Sequence, residues 1–247
     1  LVFFKKKKYN TYCFDERINE KNIKKKILLL NKKKPSIIIN CIGRIKQKTS
    51  TIQNLFFINS YFPYMLSEHL DEKHYLVHPS TDCVFNGKKQ SPYKKKDNFD
   101  ANDNYGISKF LGEKSLYSRD NTLIMRVSII GHTKNNKDFL SWALRNKSKK
   151  LFGFENHYWN GVTTLEWCKK LEEILLNKKR KSNKIIQLGT KEKYTKYQML
   201  ILFKKIFNLK YNVSKKNVEY INRVLKPDTY SKNLKKQLYE FKEYWKI

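Results

Sequence analysis

The chain's pattern predicts an α/β fold: a doubly wound parallel sheet with a smaller C-terminal lobe interleaved with it. Three observations carry this expectation. Short apolar runs rich in β-branched and aromatic residues recur along the 247 residues, and segments of helical period separate them. The alternation then weakens from about Gly131 onwards, where aromatics, lysines and Pro227 follow in irregular order. Alternating strands and helices build right-handed crossover units and a parallel sheet covered by helices on both faces.

The elements follow in order. The runs at 9–14, 36–40, 74–79, 122–126 and 184–188 read as buried strands. Helical period marks 20–33, 51–70, 104–117, 138–146 and 165–176, with Asn19 and Thr164 as plausible caps. Residues 86–103, polar and holding Gly87 and Pro92, are too long for a tight turn and suit a loop folded over a site. Ligands of such sheets bind beyond the carboxyl ends of the strands, so chemistry is sought just after each run.

Composition narrows the function classes. The 53 basic residues against 22 acidic ones give a formal charge of +31, which raises nucleic acid as a partner, yet 46 of the 53 are Lys and only seven are Arg. Dispersed lysine argues against a nucleic-acid surface, because bidentate recognition of phosphates and bases favours Arg. No apolar run approaches the roughly 18–20 residues that cross a bilayer, so no membrane partner is expected. Cys13, Cys41, Cys83 and Cys168 form no C-x-x-C pair and have no His at zinc-ligand spacing, which predicts neither a disulfide framework nor a metal site and suits a reducing cytoplasm. Residues 1–4 are apolar and precede four lysines, the reverse of a secretory signal. A chain that opens on Leu1 and not Met reads as lacking its natural start.

Tyr105 and Lys109 stand four apart on one face of the helix that opens near Asn104, where an ammonium readies a phenol for proton transfer. The spacing alone is weak: about three such pairs are expected by chance, and Tyr211 and Lys215 form a second one with no other site-like feature around it. Context promotes the first pair. Ser80-Thr81-Asp82-Cys83 leaves the third apolar run with hydroxyls and a carboxylate, Pro92-Tyr93 sits in the loop, and Tyr105-Gly106-Ile107-Ser108-Lys109 leads to Gly112-Glu113. In order and spacing this resembles the extended short-chain dehydrogenase/reductases, and within them the dTDP-4-dehydrorhamnose reductase (RmlD-like) family. Asn40-Cys41-Ile42-Gly43, Asn59 with Pro63, and Arg126-Val127-Ser128 extend the resemblance over most of residues 15–188.

The resemblance implies a Rossmann-like fold, NADP or NAD as cofactor and reduction of a 4-keto nucleotide-sugar in deoxysugar and polysaccharide biosynthesis. It makes Tyr105 the proton donor, Thr81 a second hydrogen bond to the carbonyl, and Lys109 the cation that tunes the donor. Cofactor contacts fall to Asp15, Cys41, Ile42, Gly43, Tyr105 and Lys109. Substrate contacts fall to Thr81, Asp82, Cys83, Asn156, His157 and Trp159. Plain readings stand beside these: a cap for Asp82, a packed or surface ring for His157, core packing for Trp159, an ordinary turn for Cys41 and Gly43, and a structural ion pair for Arg126. Residues 1–131, with 162–189 returning to them, are expected to form a truncated cofactor domain. Residues 132–161 and 190–247 are expected to form a substrate lobe, and a homodimer is an open possibility.

The pattern fails at one point. None of the eight glycines, at 43, 87, 106, 112, 131, 153, 161 and 189, forms the family's G-x-x-G-x-x-G pyrophosphate loop, so the chain is expected to begin inside the first crossover helix or to have lost the loop. Two alternatives follow. One is a non-catalytic nucleotide-sugar-binding or regulatory subunit, as in methionine adenosyltransferase. The other is a combined epimerase and reductase in which Cys83 removes a proton beside the ketone and His157 or His132 serves the opposite face.

Overall fold

A computed structural model describes residues 1–14, 17–45, 51–132, 138–146, 150–177 and 184–247. Its helices are α1 (Val2–Lys6), α2 (Ile23–Asn31), α3 (Ile52–Phe56), α4 (Phe62–His69), α5 (Asn104–Ser115), α6 (Phe139–Arg145), α7 (Thr164–Leu176), α8 (Lys196–Ile206) and α9 (Leu234–Trp245). Its strands are β1 (Ile37–Ile39), β2 (Tyr75–Ser80), β3 (Thr122–Arg126), β4 (Ile129–Ile130), β5 (Lys150–Phe154) and β6 (His157–Trp159). They continue with β7 (Val162–Thr163), β8 (Ile185–Thr190), β9 (Tyr194–Thr195), β10 (Asn212–Lys216), β11 (Ile221–Asn222) and β12 (Thr229–Ser231).

The main sheet runs β1-β2-β3-β8-β12, and every pairing in it is parallel. Because residues alternate between faces, one strand feeds two cores. Leu76 and Ile124 face a layer built by Ile23 and Ile27 of α2, Phe62, Met65 and Leu66 of α4, and Leu116. Val77, Leu123 and Met125 face the other layer, where α7 contributes Trp167 and Leu171. All five residues of β3 are buried, which explains the apolar run Leu123–Met125 at its centre. A third cluster gathers Leu140 and Ala143 of α6, Leu151, Trp159, Phe203 of α8 and Leu234, Leu238 and Phe241 of α9.

Four of the five expected strands are present as β1, β2, β3 and β8, and all five expected helices form. The run at 9–14 is a correction: it makes no strand. Apolar alternation becomes a strand only where a neighbour completes the ladder. Here the segment runs from α7 towards α2 instead, with the Tyr9 hydroxyl donating to Glu172 Oε1 at 2.9 Å and Lys26 Nζ standing 5.5 Å from the Phe14 ring centre. The fifth strand of the sheet comes from residues 229–231, where Tyr230 pairs with Gly189. The caps shift by a few residues. α7 is capped by Thr163, whose hydroxyl accepts from Glu166 N–H, and Asn19 accepts from Asn22 N–H in the turn before α2. The stretch expected as one helix at 51–70 is helical from Ile52 to His69 but widens into a π turn at Phe57–Tyr61.

Candidate active site

The π turn has a specific use. It presents Asn59, whose Oδ1 accepts from Arg44 N–H at 2.8 Å while Nδ2 donates to Arg44 O at 3.0 Å and to Ser108 Oγ at 3.1 Å. One buried amide thus ties the turn after β1 to α5. Glycine lets α5 come close. A Cβ on Gly112 would lie 1.9 Å from Asn59 O, and one on Gly106 would lie 2.2 Å from Cys83 O, so α5 packs on the π turn at one level and on the exit of β2 at the other.

This packing brings Thr81 to Tyr105. Thr81 caps the short 3-10 turn Asp82–Val84, its oxygen accepting from Cys83 N–H at 3.1 Å while its hydroxyl donates to Asp82 Oδ1 at 3.0 Å. The N-terminus of α5 is capped by Asp103, which accepts from Gly106 N–H at 2.9 Å. That sets Tyr105 in the first turn, with its phenol against the Thr81 side chain. Burial raises the phenol's pKa, and Cys83, Asp82 and Asp103 add to the rise, so the group is held protonated. One turn on, Lys109 is buried and donates from Nζ to Pro79 O at 2.8 Å. Burial pulls its pKa down to about 8 against the opposing pull of Glu113.

Glu113 anchors a network below these groups. Its carboxylate accepts from Ser80 Oγ at 2.7 Å, from the Tyr117 hydroxyl at 2.9 Å and from Arg126, whose Nε reaches both of its oxygens at 2.9 and 3.0 Å. The Arg126 guanidinium lies 4.6 Å from the Phe99 ring centre and donates to Lys95 O at 2.9 Å, joining the 86–103 loop to the same network. Arg126 is therefore the structural ion pair that its strand-end position allowed. His78 is fully enclosed, and burial keeps its pKa well below the usual value; the neutral ring meets Asn40 Nδ2 through Nδ1 at 3.2 Å.

The other candidate residues distribute unevenly. Cys41, Ile42 and Gly43 form the open turn after β1, where a Cβ on Gly43 would meet only Asn59 Oδ1 at 3.8 Å. Asp82 and Cys83 stand beside Tyr105; burial pushes the Cys83 thiol up to about 12, with Asp82 adding to the rise. Asn156 is engaged with the backbone of Val218, and His157 meets Glu219 O at 2.9 Å. Trp159 is 4% exposed and packs in the cluster of α6, α8 and α9. Tyr93 is buried and stacks on Phe85 at 4.2 Å, its backbone N–H donating to Val224 O at 2.8 Å. His132 is exposed, and Asp15 lies outside the described residues. Tyr211 and Lys215 diverge: the hydroxyl donates to Leu200 O and the ammonium pairs with Glu155, because their spacing falls on and before a strand and not a helix.

Sequence reasoning missed two cations. Arg223 donates from Nε to Phe85 O at 2.9 Å, points Nη1 at Cys83 Sγ at 3.6 Å and approaches Asp103 at 3.7 Å. Lys196, the first residue of α8, lies in electrostatic range of Asp82, Cys83 and Arg223. Neither belongs to a motif, and both come from the irregular C-terminal third, so no local signal marked them. Among the described residues no group of His, Cys, Asp and Glu is arranged to hold a metal, and no helix is long and apolar enough to cross a membrane.

Comparison with known proteins fits this geometry. The structure resembles the dTDP-4-dehydrorhamnose reductase of Bacillus anthracis solved with NADP, with a TM-score of 0.84 at 16% identity over 98% of this chain and 92% of that one. It also resembles a dTDP-4-dehydrorhamnose reductase of Clostridium acetobutylicum, with a TM-score of 0.78 at 17% identity over 93% and 86% of the two chains. These likenesses establish the fold, a mixed α/β architecture of Rossmann type around a parallel five-stranded sheet. The spore coat polysaccharide biosynthesis protein SpsK of Bacillus subtilis is 33% identical over 109 residues, 41% of this chain, and the match spans 38% of that protein's length. The RmlD substrate binding domain family matches residues 4–199, which takes in the strand-end hydroxyls, the Tyr105 helix and strands β1, β2, β3 and β8 of the main sheet, and the chain belongs to that family.

Proposed function

We propose that the protein reduces the ketone of a 4-keto nucleotide-sugar, with NADPH or NADH as hydride source, in the synthesis of a deoxysugar for polysaccharide. One observation carries the reading: a phenol held protonated in the first turn of α5 lies against the Thr81 hydroxyl with the Lys109 ammonium one turn behind it. A ketone becoming an alkoxide needs those three groups together. The Tyr105 hydroxyl delivers the proton to the carbonyl oxygen, Thr81 supplies the second hydrogen bond that orients it, and Lys109 lowers the cost of the charge left on the phenol. The thiol of Cys83, pushed up to about 12, stays protonated near neutrality and counts against a thiolate base for epimerisation.

The residues fit the nicotinamide end of a dinucleotide. The turn of Cys41, Ile42 and Gly43 is open at the carboxyl edge of β1, and Lys109 and Tyr105 stand at the next strand's exit. When bound, the reduced nicotinamide supplies the hydride. No G-x-x-G-x-x-G stretch stands in the 247 residues to cradle the pyrophosphate. Residues 1–131 with 162–189 are assigned to the cofactor, and 132–161 with 190–247 to the nucleotide-sugar, in a cytoplasmic protein with the option of a homodimer. The test is loss of reduced-nicotinamide absorbance with dTDP-4-dehydrorhamnose. Tyr105→Phe lowers turnover by about a hundredfold or more while substrate affinity is kept. Unchanged turnover in that variant refutes the mechanism.

A further inference from the structure

The turn after β1 takes its shape from two buried asparagines more than from its own residues. Cys41 and Gly43 are exposed and Ile42 is half-buried, so little packing holds them. The backbone reverses tightly there. Asn40 N–H donates to Val77 O at 2.9 Å, and Cys41 N–H then turns back to Ile39 O at 2.9 Å. Beyond that point side chains hold the backbone: Asn40 Oδ1 accepts from Ile42 N–H at 3.1 Å, and Asn59 Oδ1 from Arg44 N–H at 2.8 Å. Each amide is in turn oriented through its nitrogen. Ser108 Oγ accepts from Asn59 Nδ2, and His78 Nδ1 stands 3.2 Å from Asn40 Nδ2.

These contacts fix where the proton of His78 sits. Because Asn40 presents its oxygen to Ile42 N–H, the atom facing the ring is the amide nitrogen, which can only donate. Nδ1 is therefore the ring's acceptor, and Nε2 carries the hydrogen. Nε2 is buried with no hydrogen-bond partner among the described residues. A second proton on Nδ1 would set two donors head to head, and burial beside the Lys109 ammonium already keeps the ring neutral. No catalytic step uses His78, yet it precedes Pro79 on β2, whose carbonyl accepts from Lys109 Nζ at 2.8 Å. We propose that His78 is a positioning residue: as the Nε2–H tautomer it orients the Asn40 amide, which holds Ile42 N–H and keeps the 41–43 turn in shape to receive the dinucleotide. This rests on the proposed cofactor role of that turn. Without the ring acceptor, Asn40 Nδ2 is buried unpaired, rotation of the amide is favoured, and Ile42 N–H loses its partner.

Two substitutions of equal size isolate the acceptor. Asparagine at 78 carries an oxygen the same number of bonds from Cα as Nδ1, and leucine carries a methyl there. Nitrogen-15 NMR of the ligand-free wild type is expected to show the neutral Nε2–H tautomer near pH 7; an Nδ1–H or doubly protonated ring overturns the inference without any variant. His78→Leu is expected to speed hydrogen exchange at Ile42 N–H by roughly tenfold or more, leave Leu188 in β8 unchanged, and weaken NADPH in calorimetric titration by a similar factor. His78→Asn is expected to stay within about threefold of wild type in both measurements. Equal effects of the two variants assign the ring to packing and overturn the inference. So does an unchanged Ile42 exchange rate, or an unchanged NADPH affinity, in His78→Leu. If His78→Leu does not fold, the wild-type tautomer decides. A wild type that binds no NADPH refutes the cofactor reading itself, a failure distinct from a wrong tautomer or an insensitive turn.

Discussion

At the scale of single residues the site works by opposed titrations. Burial depresses Lys109 from 10.5 to about 8, so its charged form, which the proposed chemistry uses, is lost as pH rises through about 8. The pH profile of kcat/KM is therefore expected to fall above about 8, and Lys109→Met, slow throughout, to lose that limb. A profile flat to pH 10 in the wild type excludes Lys109 as the group that titrates. The stability effect has the opposite sign. The unfolded chain binds the extra proton between about 8 and 10.5, so the buried ammonium weakens the fold below that window and the penalty is relieved as pH climbs through it. Tyr105, with its pKa raised, reverses this gain once the unfolded phenol begins to ionise near 10. Part of this site could be read in advance. Thr81, Tyr105 and Lys109 carry fixed spacing from a strand end to a helix, which survives in a linear pattern. Lys196 and Arg223 reach the same place from elements far apart in sequence, and only the folded chain brings them together.

At the scale of elements, the contact between α5 and the π turn decides whether the site assembles. Gly112→Ala places a methyl 1.9 Å from Asn59 O, a clash with backbone that cannot swing aside, and is expected to cost about 3 kcal/mol or more in denaturant unfolding. Gly43→Ala meets only a side-chain oxygen at 3.8 Å and is expected to stay within about 0.5 kcal/mol. Equal losses in the two variants contradict the close approach as the reason for glycine at 112. The main strands and helices were legible because their apolar periods are set by burial against two layers. The π turn was not, since one inserted residue leaves the helical period nearly intact, and it is Asn59's bonds to Arg44 and Ser108 that reveal it. The run at 9–14 shows the reverse error: it has the composition of a strand without a ladder to join.

At the scale of the whole molecule the excess charge acts on the fold as a unit. With +31 spread over 247 residues, self-repulsion opposes the compact state, so the melting temperature is expected to rise as sodium chloride is added from low ionic strength to about 0.15 M. A melting temperature independent of salt shows that ion pairs such as Lys169 and Lys232 on Glu240 already absorb the excess. The order of the main sheet bears on how the chain is made. Among the described residues β8 pairs with β3 on one side and, on the other, with β12, which follows it by roughly 40 residues. At about 5–20 residues per second, ribosomal synthesis leaves roughly 2–8 s in which the nascent β8, Ile185–Thr190, has no partner along one edge. An apolar strand edge left open for seconds is a template for other chains, so aggregation during expression should depend on translation speed between residues 191 and 231, and codon choice in that interval becomes a determinant of yield.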